Sequence, residues 1–250
     1  LALHYELNDY KACANTLLDM IPRFPLKEQY WKQLSGMFME IKKDSEALAI
    51  LGLADRRGYL DDDKEVRNLG NMYLFLDIPY KAARIFDDGL KSGVLPANEE
   101  NLEALSNAWI GARETDKAIA ALARASELTS DGDKVLRLAY LYVQQEDWSQ
   151  VISSLDRARK LGVKKPGEAA MLQGIAEAEL GRFDAALKSF AVAAKDEDTR
   201  EEALGWLNHA RSLQQSRLRM KSRRRKKVDL SRSSHCLLYT SPSPRDLSTS

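Results

Sequence analysis

The sequence has few of the residues on which several classes of protein depend. Its two cysteines, Cys13 and Cys236, cannot build a disulfide framework. No run of about 18 apolar residues occurs, so the sequence predicts no transmembrane helix. Only seven of the 250 residues are proline, while 44% are hydrophobic and 30% are charged. This composition is typical of a mostly ordered globular chain.

Motifs that support catalysis or metal binding are also missing. The histidines His4, His209 and His235 lie far apart in the chain, and no HExxH, paired CxxC or phosphate-binding glycine loop occurs. Acidic pairs such as Asp87-Asp88 are adjacent residues, which do not share a helix face. Cys13 occupies a position for a small buried residue, where a structural thiol is expected. The sequence therefore predicts no enzyme, no cofactor and no metal site.

Charge is distributed unevenly along the chain. Residues 217–250 hold ten of the 38 Lys and Arg but only two of the 37 Asp and Glu, so residues 1–216 carry a net charge of −7. An acidic body argues against general nucleic-acid binding, which needs cations to neutralise phosphates. The basic run at 217–227 leaves two interpretations open. It is either a tail that binds nucleic acid or a membrane surface, or the product of reading beyond the true stop codon or out of the true frame. We predict a basic, disordered tail at 215–235. Residues 236–250, which read CLLYTSPSPRDLSTS, resemble a translated sequencing adapter, and we predict that this adapter-like segment is disordered.

The strongest positive feature is an internal repeat. Six anchor positions follow one another at separations of 34, 35, 36, 33 and 35 residues: Cys13, Ala47, Ala82, Ala118, Val151 and Ala186. Four residues after each anchor stands a large apolar residue: Leu17, Leu51, Phe86, Leu122, Leu155 and Phe190. Apolar residues also recur at helical spacing, with turn signals every 15 to 20 residues. Each repeat therefore predicts a pair of helices.

Residues before each anchor complete the pattern. Nine residues earlier stand His4, Phe38, Tyr73, Trp109, Tyr142 and Glu177, and twelve earlier stand Leu1, Ser35, Gly70, Ser106, Ala139 and Gly174. A small residue lets two helices approach, and bulk at that position would force them apart. Glu177 departs from the aromatic pattern, which predicts an altered contact there. We assign repeat packing to Gly70, Tyr73, Ala82, Phe86, Trp109, Ala118, Ala139, Tyr142, Gly174, Ala186 and Phe190.

This pattern resembles the tetratricopeptide repeat (TPR), a helix-turn-helix of about 34 residues. The resemblance implies an all-α fold, a right-handed α-solenoid of about six units, the first of them truncated. A capping helix over Glu201–Gln214 is expected to end a single domain at residues 1–214.

The same resemblance implies a concave groove, lined by the first helix of each unit, that binds a protein or peptide segment. The groove residues it implies are Lys32, Met39, Lys64, Arg67, Asn71, Phe75, Asn107, Ile110, Tyr140, Gln144 and Met171. Some members of the family clamp a terminal carboxylate with Lys, Asn and Arg. Arg67 and Asn71 match one step of such a clamp and Arg137 matches another. Asp133 and Ile110, however, stand where Lys and Asn are needed.

A narrower resemblance rests on particular strings: HYELNDYKACANTL, EQYWKQLSGMF, IPYKAARIFDDGLKSG and LGWLNHARS. They are similar to bacterial TPR proteins encoded beside TonB, ExbB and ExbD. This resemblance implies a non-catalytic periplasmic adaptor that contacts components of a TonB-dependent transport system. A cytoplasmic location is the alternative compartment. The alternative function is a recognition module of a larger enzyme whose catalytic domain lies upstream.

Overall fold

The computed structural model describes the backbone of residues 1–238 and the side chains of residues 1–223. This part of the chain contains thirteen α-helices and no strand, which confirms the all-α class. The helices are α1 (Ala2–Glu6), α2 (Tyr10–Met20), α3 (Glu28–Glu40), α4 (Asp44–Arg56), α5 (Asp63–Phe75), α6 (Pro79–Ser92), α7 (Glu99–Gly111), α8 (Thr115–Leu128), α9 (Gly132–Gln144), α10 (Trp148–Leu161), α11 (Pro166–Glu179), α12 (Phe183–Ala193) and α13 (Arg200–Leu238). The first twelve follow one another as six helix-turn-helix units.

Polar side chains and special residues set the helix ends. The Asp62 carboxylate accepts a hydrogen bond from the Lys64 backbone N–H at 2.7 Å, and this cap starts α5. Pro79 opens α6, at a position where the missing N–H has no cost. Gly93 ends α6 with a φ of 81°, a conformation that suits glycine.

The turn inside each unit has the same backbone form. One residue with positive φ lies between the first and second helix in all six units: Asn8, Lys42, Asp77, Arg113, Glu146 and Gly181. Five of these residues are not glycine, although left-handed φ costs an ordinary residue roughly 1 kcal/mol. In each turn the next residue donates its backbone N–H to the carbonyl five residues earlier, as Lys43 does to Phe38, which is the hydrogen bond of a Schellman helix end.

Two units pack their helices through a serine. Ser35 of α3 donates its hydroxyl hydrogen bond to the backbone carbonyl of Ala47 in α4, at 2.9 Å. Ser106 of α7 donates in the same way to Ala118 of α8, also at 2.9 Å. Both hydroxyls are buried, so each junction satisfies the polar group that its small residue brings into the core.

Two other units pack their helices through a glycine and a phenylalanine. A Cβ atom on Gly70 of α5 would lie 2.6 Å from the Phe86 ring of α6. A Cβ atom on Gly174 of α11 would lie 2.6 Å from the Phe190 ring of α12. Both rings are fully buried, so only glycine leaves room for them.

The chain, which the sequence predicts to form a single domain at residues 1–214, is divided into two compact units. One covers Leu1–Leu141, and the other begins at Tyr142 and continues past residue 214. The second has its own core, formed by α11, α12 and the first turns of α13. Its buried residues are Ala170, Met171, Ala186, Phe190, Ala193, Ala203, Leu207 and Ala210.

The C-terminal helix extends beyond the predicted cap. Ala203 and Leu207 of α13 are buried as a capping helix requires, but the helix continues to Leu238. The disordered tail predicted at 215–235 is therefore helical in the structure. Lys and Arg are good helix formers, and no Gly or Pro occurs between residues 206 and 241. Of the adapter-like segment, residues 239–250 lie outside the described chain.

Candidate functional site

Most predicted groove residues of the first compact unit, Leu1–Leu141, lie on one surface, which we name the first-helix face. It consists of the exposed sides of α3, α5, α7 and the part of α9 up to Leu141. Ion pairs join successive first helices across this face. Lys32 lies 2.7 Å from Glu65, Arg67 lies 2.7 Å from Glu100, and Arg137 lies 2.6 Å from Glu103. Each contact joins neighbouring repeats, because the partners are 33 or 34 residues apart.

A second basic residue of α9 extends this series. Lys134 contacts Glu99 and lies 3.1 Å from Glu103. Hydrogen bonds from Lys134 and then from Thr129 hold the pKa of Glu99 below its usual value. Hydrogen bonds to Glu99 and then to Glu103 raise the pKa of Lys134. Both shifts favour the charged forms, so this pair is ionised at neutral pH.

These ion pairs occupy the basic groups that a carboxylate clamp would use. Arg67 has two carboxylate partners, Asp63 at 3.0 Å and Glu100 at 2.7 Å. Arg137 also donates to Asn107 Oδ1 at 2.7 Å. A peptide carboxylate would have to displace one of these internal partners. The arrangement therefore favours ligands that do not depend on a free carboxylate.

Three of the predicted groove residues meet around a pocket of about 320 Å³, which we name the Met39–Phe75 pocket. The residues that line it are Met39, Asp44, Asn68, Asn71, Met72, Phe75 and Leu76. Phe75 is 76% exposed and Met39 is 41% exposed. Two exposed apolar side chains that meet at one pocket form an apolar patch of the kind found at interaction sites.

The remaining groove predictions fall outside this pocket. Lys64 is exposed in the first turn of α5, and Ile110 and Tyr140 are exposed on α7 and α9 of the first-helix face. Gln144 is exposed at the end of α9, in the second compact unit. Met171 is among the predicted groove residues, which must be accessible to a ligand, and the structure corrects this prediction. It is only 6% exposed and lies in the core with Phe190 and Leu207, because α13 packs beside it.

The predicted packing residues lie inside the protein. Ala82, Phe86, Ala118, Ala139, Ala186 and Phe190 are fully buried, Trp109 is 4% exposed, and Gly70 and Gly174 are buried. Tyr73 and Tyr142 are half-buried, and burial is the main cause that raises the pKa of each phenol.

Glu177, which interrupts the aromatic pattern, belongs to a buried polar network in the second unit. Its carboxylate accepts hydrogen bonds from Ser189 Oγ at 2.7 Å and from Gln173 Nε2 at 3.3 Å. Gln173 in turn accepts from Arg159 Nη1 at 2.6 Å. Glu177 is 8% exposed, so these bonds replace the water that its carboxylate has lost.

Sequence reasoning missed part of the site. Asp44, Asn68 and Leu76 were not predicted to line a pocket, because they lie on a helix end or beside the expected groove positions. The acidic partners Glu65 and Glu100 were also missed. Their signal was present in the sequence, since each stands 33 residues from its cation, about one repeat away.

Neither a metal centre nor a membrane span occurs among the described residues. They contain no group of three or more His, Cys, Asp or Glu side chains placed to hold a metal ion. Within the same part of the chain, no helix is both long enough and apolar enough to cross a bilayer.

Comparison with known proteins identifies the fold. By sequence, the chain matches no protein-family model and no curated protein. By structure, it is similar to YrrB, described as a TPR protein with an unusual peptide-binding site, at a TM-score of 0.55 and 16% identity, covering 77% of this chain and 97% of YrrB. It is also similar to two MamA structures. The first has a TM-score of 0.53 and 19% identity, and the match covers 70% of this chain and 94% of MamA. The second has a TM-score of 0.51 and 21% identity, and the match covers 68% of this chain and 97% of MamA. The chain has a tetratricopeptide-type fold.

Proposed function

We propose that this protein is a non-catalytic scaffold that binds a peptide segment of a partner protein at the Met39–Phe75 pocket. The observation that carries the proposal is the exposure of Phe75 and Met39 at the mouth of an apolar pocket on the first-helix face. A side chain entering this pocket would remove apolar surface from water on both partners.

The polar residues at the rim suit a peptide main chain. Asn68 and Asn71 line the pocket, and each side-chain amide offers both a donor and an acceptor. A peptide backbone presents the same two kinds of group. The fold supports this function, since YrrB, to which the chain is similar, is described as having a peptide-binding site.

The partner we propose is a component of a TonB-dependent transport system, and the location we propose is the periplasm. This finer proposal rests on the resemblance of strings such as IPYKAARIFDDGLKSG and LGWLNHARS to TPR proteins encoded beside TonB, ExbB and ExbD.

Binding to purified components tests both levels of the proposal. The full chain is immobilised and exposed to purified TonB and ExbD, with the association measured by biolayer interferometry. Phe75→Ala removes one wall of the pocket and should weaken binding at least tenfold. This factor corresponds to the loss of about 1.5 kcal/mol, the free energy gained by burying an apolar side chain. Leu26→Ala is the matched control, because Leu26 is 82% exposed and lies before α3, outside the pocket.

The two variants separate the possible results. Binding of either component that Phe75→Ala weakens and Leu26→Ala leaves intact supports the proposal. Binding that Phe75→Ala leaves unchanged would place the contact elsewhere on the protein. If neither component binds, the TonB assignment is wrong, and the pocket is then tested with the peptides described below.

A further inference from the structure

We infer that the Met39–Phe75 pocket selects an apolar side chain that stands next to a lysine or arginine in an internal peptide segment. This inference rests on the proposed function and adds the chemical class of the ligand. It follows from three properties of the pocket: its apolar wall, the one charge at its rim, and the state of the basic groups nearby.

The wall accepts an apolar side chain. Met39, Met72, Phe75 and Leu76 supply it, and methionine adapts to ligands of different shape. A volume of about 320 Å³ is in the range of pockets that take small organic groups. Leucine, methionine and phenylalanine side chains therefore fit.

The charge at the rim is negative. Among the lining residues that the structure describes, Asp44 is the only charged one, and it is half-buried at the start of α4. No described basic side chain lies in ion-pair contact with it. The neighbouring Lys43 instead lies 3.1 Å from Glu46 and over the Phe38 ring. A lysine or arginine of the ligand, placed beside its apolar side chain, would therefore pair with the Asp44 carboxylate.

The nearby cations cannot reverse this preference. Lys32, Lys64 and Arg67 are the basic residues of α3 and α5, and carboxylates of this chain hold Lys32 and Arg67. Lys64 is exposed in the first turn of α5, at the other end of that helix from Phe75. A ligand carboxylate would meet Asp44 at the pocket, with these cations beyond it. Like charges brought together in this way reject the wrong ligand.

Peptide selection tests the inference directly. A library of random twelve-residue peptides, displayed without a free C-terminal carboxylate, is selected on the immobilised full chain. We expect enriched peptides to place Lys or Arg within a few residues of Leu, Met or Phe. On the Asp44→Lys variant the enriched charge should change to Asp or Glu. Glu40→Lys is the matched control, because Glu40 is an exposed carboxylate of α3 that does not line the pocket, and it should leave the preference unchanged.

Selected peptides are then synthesised with amidated ends and titrated by fluorescence anisotropy. Replacing the basic residue of the peptide by norleucine, or Asp44 by Asn, should each weaken binding about three- to fivefold, as expected for a partly exposed ion pair. The two changes together should weaken it no further than either one alone, because both remove the same contact.

The outcomes distinguish the inference from the function on which it rests. If no enriched peptide loses binding with Phe75→Ala, the pocket is not the binding site and the proposed function fails. If binding depends on Phe75 but the peptides show no preference for Lys or Arg, the function stands and the inference is overturned. A preference for acidic peptides, or one that Asp44→Lys does not change, also overturns it.

Discussion

The helix pairs α3/α4 and α5/α6 have the same backbone form but join their helices differently. In α3/α4 the small residue is Ser35, which bonds to the Ala47 carbonyl, and the large residue four positions after that anchor is Leu51. In α5/α6 the small residue is Gly70 and the large one is Phe86, whose ring lies against it. The pair with the smaller residue in the first helix therefore has the larger residue in the second.

The same alternation recurs in other pairs. α7/α8 combines Ser106 with Leu122, and α11/α12 combines Gly174 with Phe190. The two solutions occur in pairs far apart in the chain, so neither depends on a particular neighbour. The comparison teaches that the two positions are coupled through volume, as expected for cores packed at crystal-like density.

The largest effect is expected from mixing the two kinds of junction. Gly70→Ser puts a side chain into the Phe86 ring and should lower the free energy of unfolding by about 2 kcal/mol through overpacking. Phe86→Leu alone leaves a cavity and should cost a similar amount, about 1.5 kcal/mol. The double variant recreates the serine–leucine junction. It should be more stable than the sum of the single effects predicts by at least about 1 kcal/mol.

Urea unfolding followed by circular dichroism measures these differences, and Gly36→Ser is the control. Gly36 lies in α3, and a Cβ atom added there would meet no neighbouring atom within 4 Å, so its substitution should change stability by no more than about 0.5 kcal/mol. Strictly additive effects of Gly70→Ser and Phe86→Leu would show that the two positions are not coupled, and the comparison would lose its physical basis.

The sequence was sufficient to predict which residues pack inside the repeats but not which of them touch. Small and large residues at fixed spacing report on packing, which is why Gly70 and Phe86 were both assigned to it; their contact with each other appears only in the structure. The exposure of Met171 depends on where α13 lies, and a repeat pattern contains no information on that helix. The left-handed turn residues, such as Lys42 and Arg113, share no side-chain type that would have predicted their backbone. Predicting the Met39–Phe75 pocket would also have required knowing that Asp44, at the start of α4, lies beside it.

A second prediction asks whether the two glycine–phenylalanine junctions are equivalent. Beside Gly70 the repeat has Tyr73, whereas beside Gly174 it has the buried Glu177. Glu177→Ala would leave Ser189 and Gln173 without their acceptor. It should lower the free energy of unfolding by about 1.5 kcal/mol, the usual cost of unpaired buried polar groups.

Glu177→Gln is the matched variant, because a glutamine carbonyl still accepts the hydrogen bond from Ser189. It should retain more than half of the stability that Glu177→Ala loses in the same urea titration. In a double-mutant cycle, Ser189→Ala should cost less in the Glu177→Ala background than in the wild type. Equal costs in the two backgrounds would mean that the hydroxyl and the carboxylate act independently.

The smallest effect is expected from the ion pairs of the first-helix face, which join repeats at the surface rather than through the core. Lys134 holds the pKa of Glu99 below its usual 4.5, so ionised Glu99 stabilises the folded state. This contribution is complete above pH 4.5 and is lost as the pH falls below that value through the folded-state pKa. The stability difference between wild type and Glu99→Gln should therefore shrink between pH 6 and pH 3.

Urea midpoints measured across this pH range, with and without 0.5 M salt, test the prediction, and Glu127→Gln controls for the loss of one exposed negative charge. Salt should reduce the difference for Glu99→Gln at pH 6, because both members of the pair are partly exposed. A difference that stayed constant with pH would mean that the contact with Lys134 does not stabilise the fold. The repeats on either side of that contact would then be held together by their buried core, and Glu99 would serve mainly to keep Lys134 from binding a ligand carboxylate.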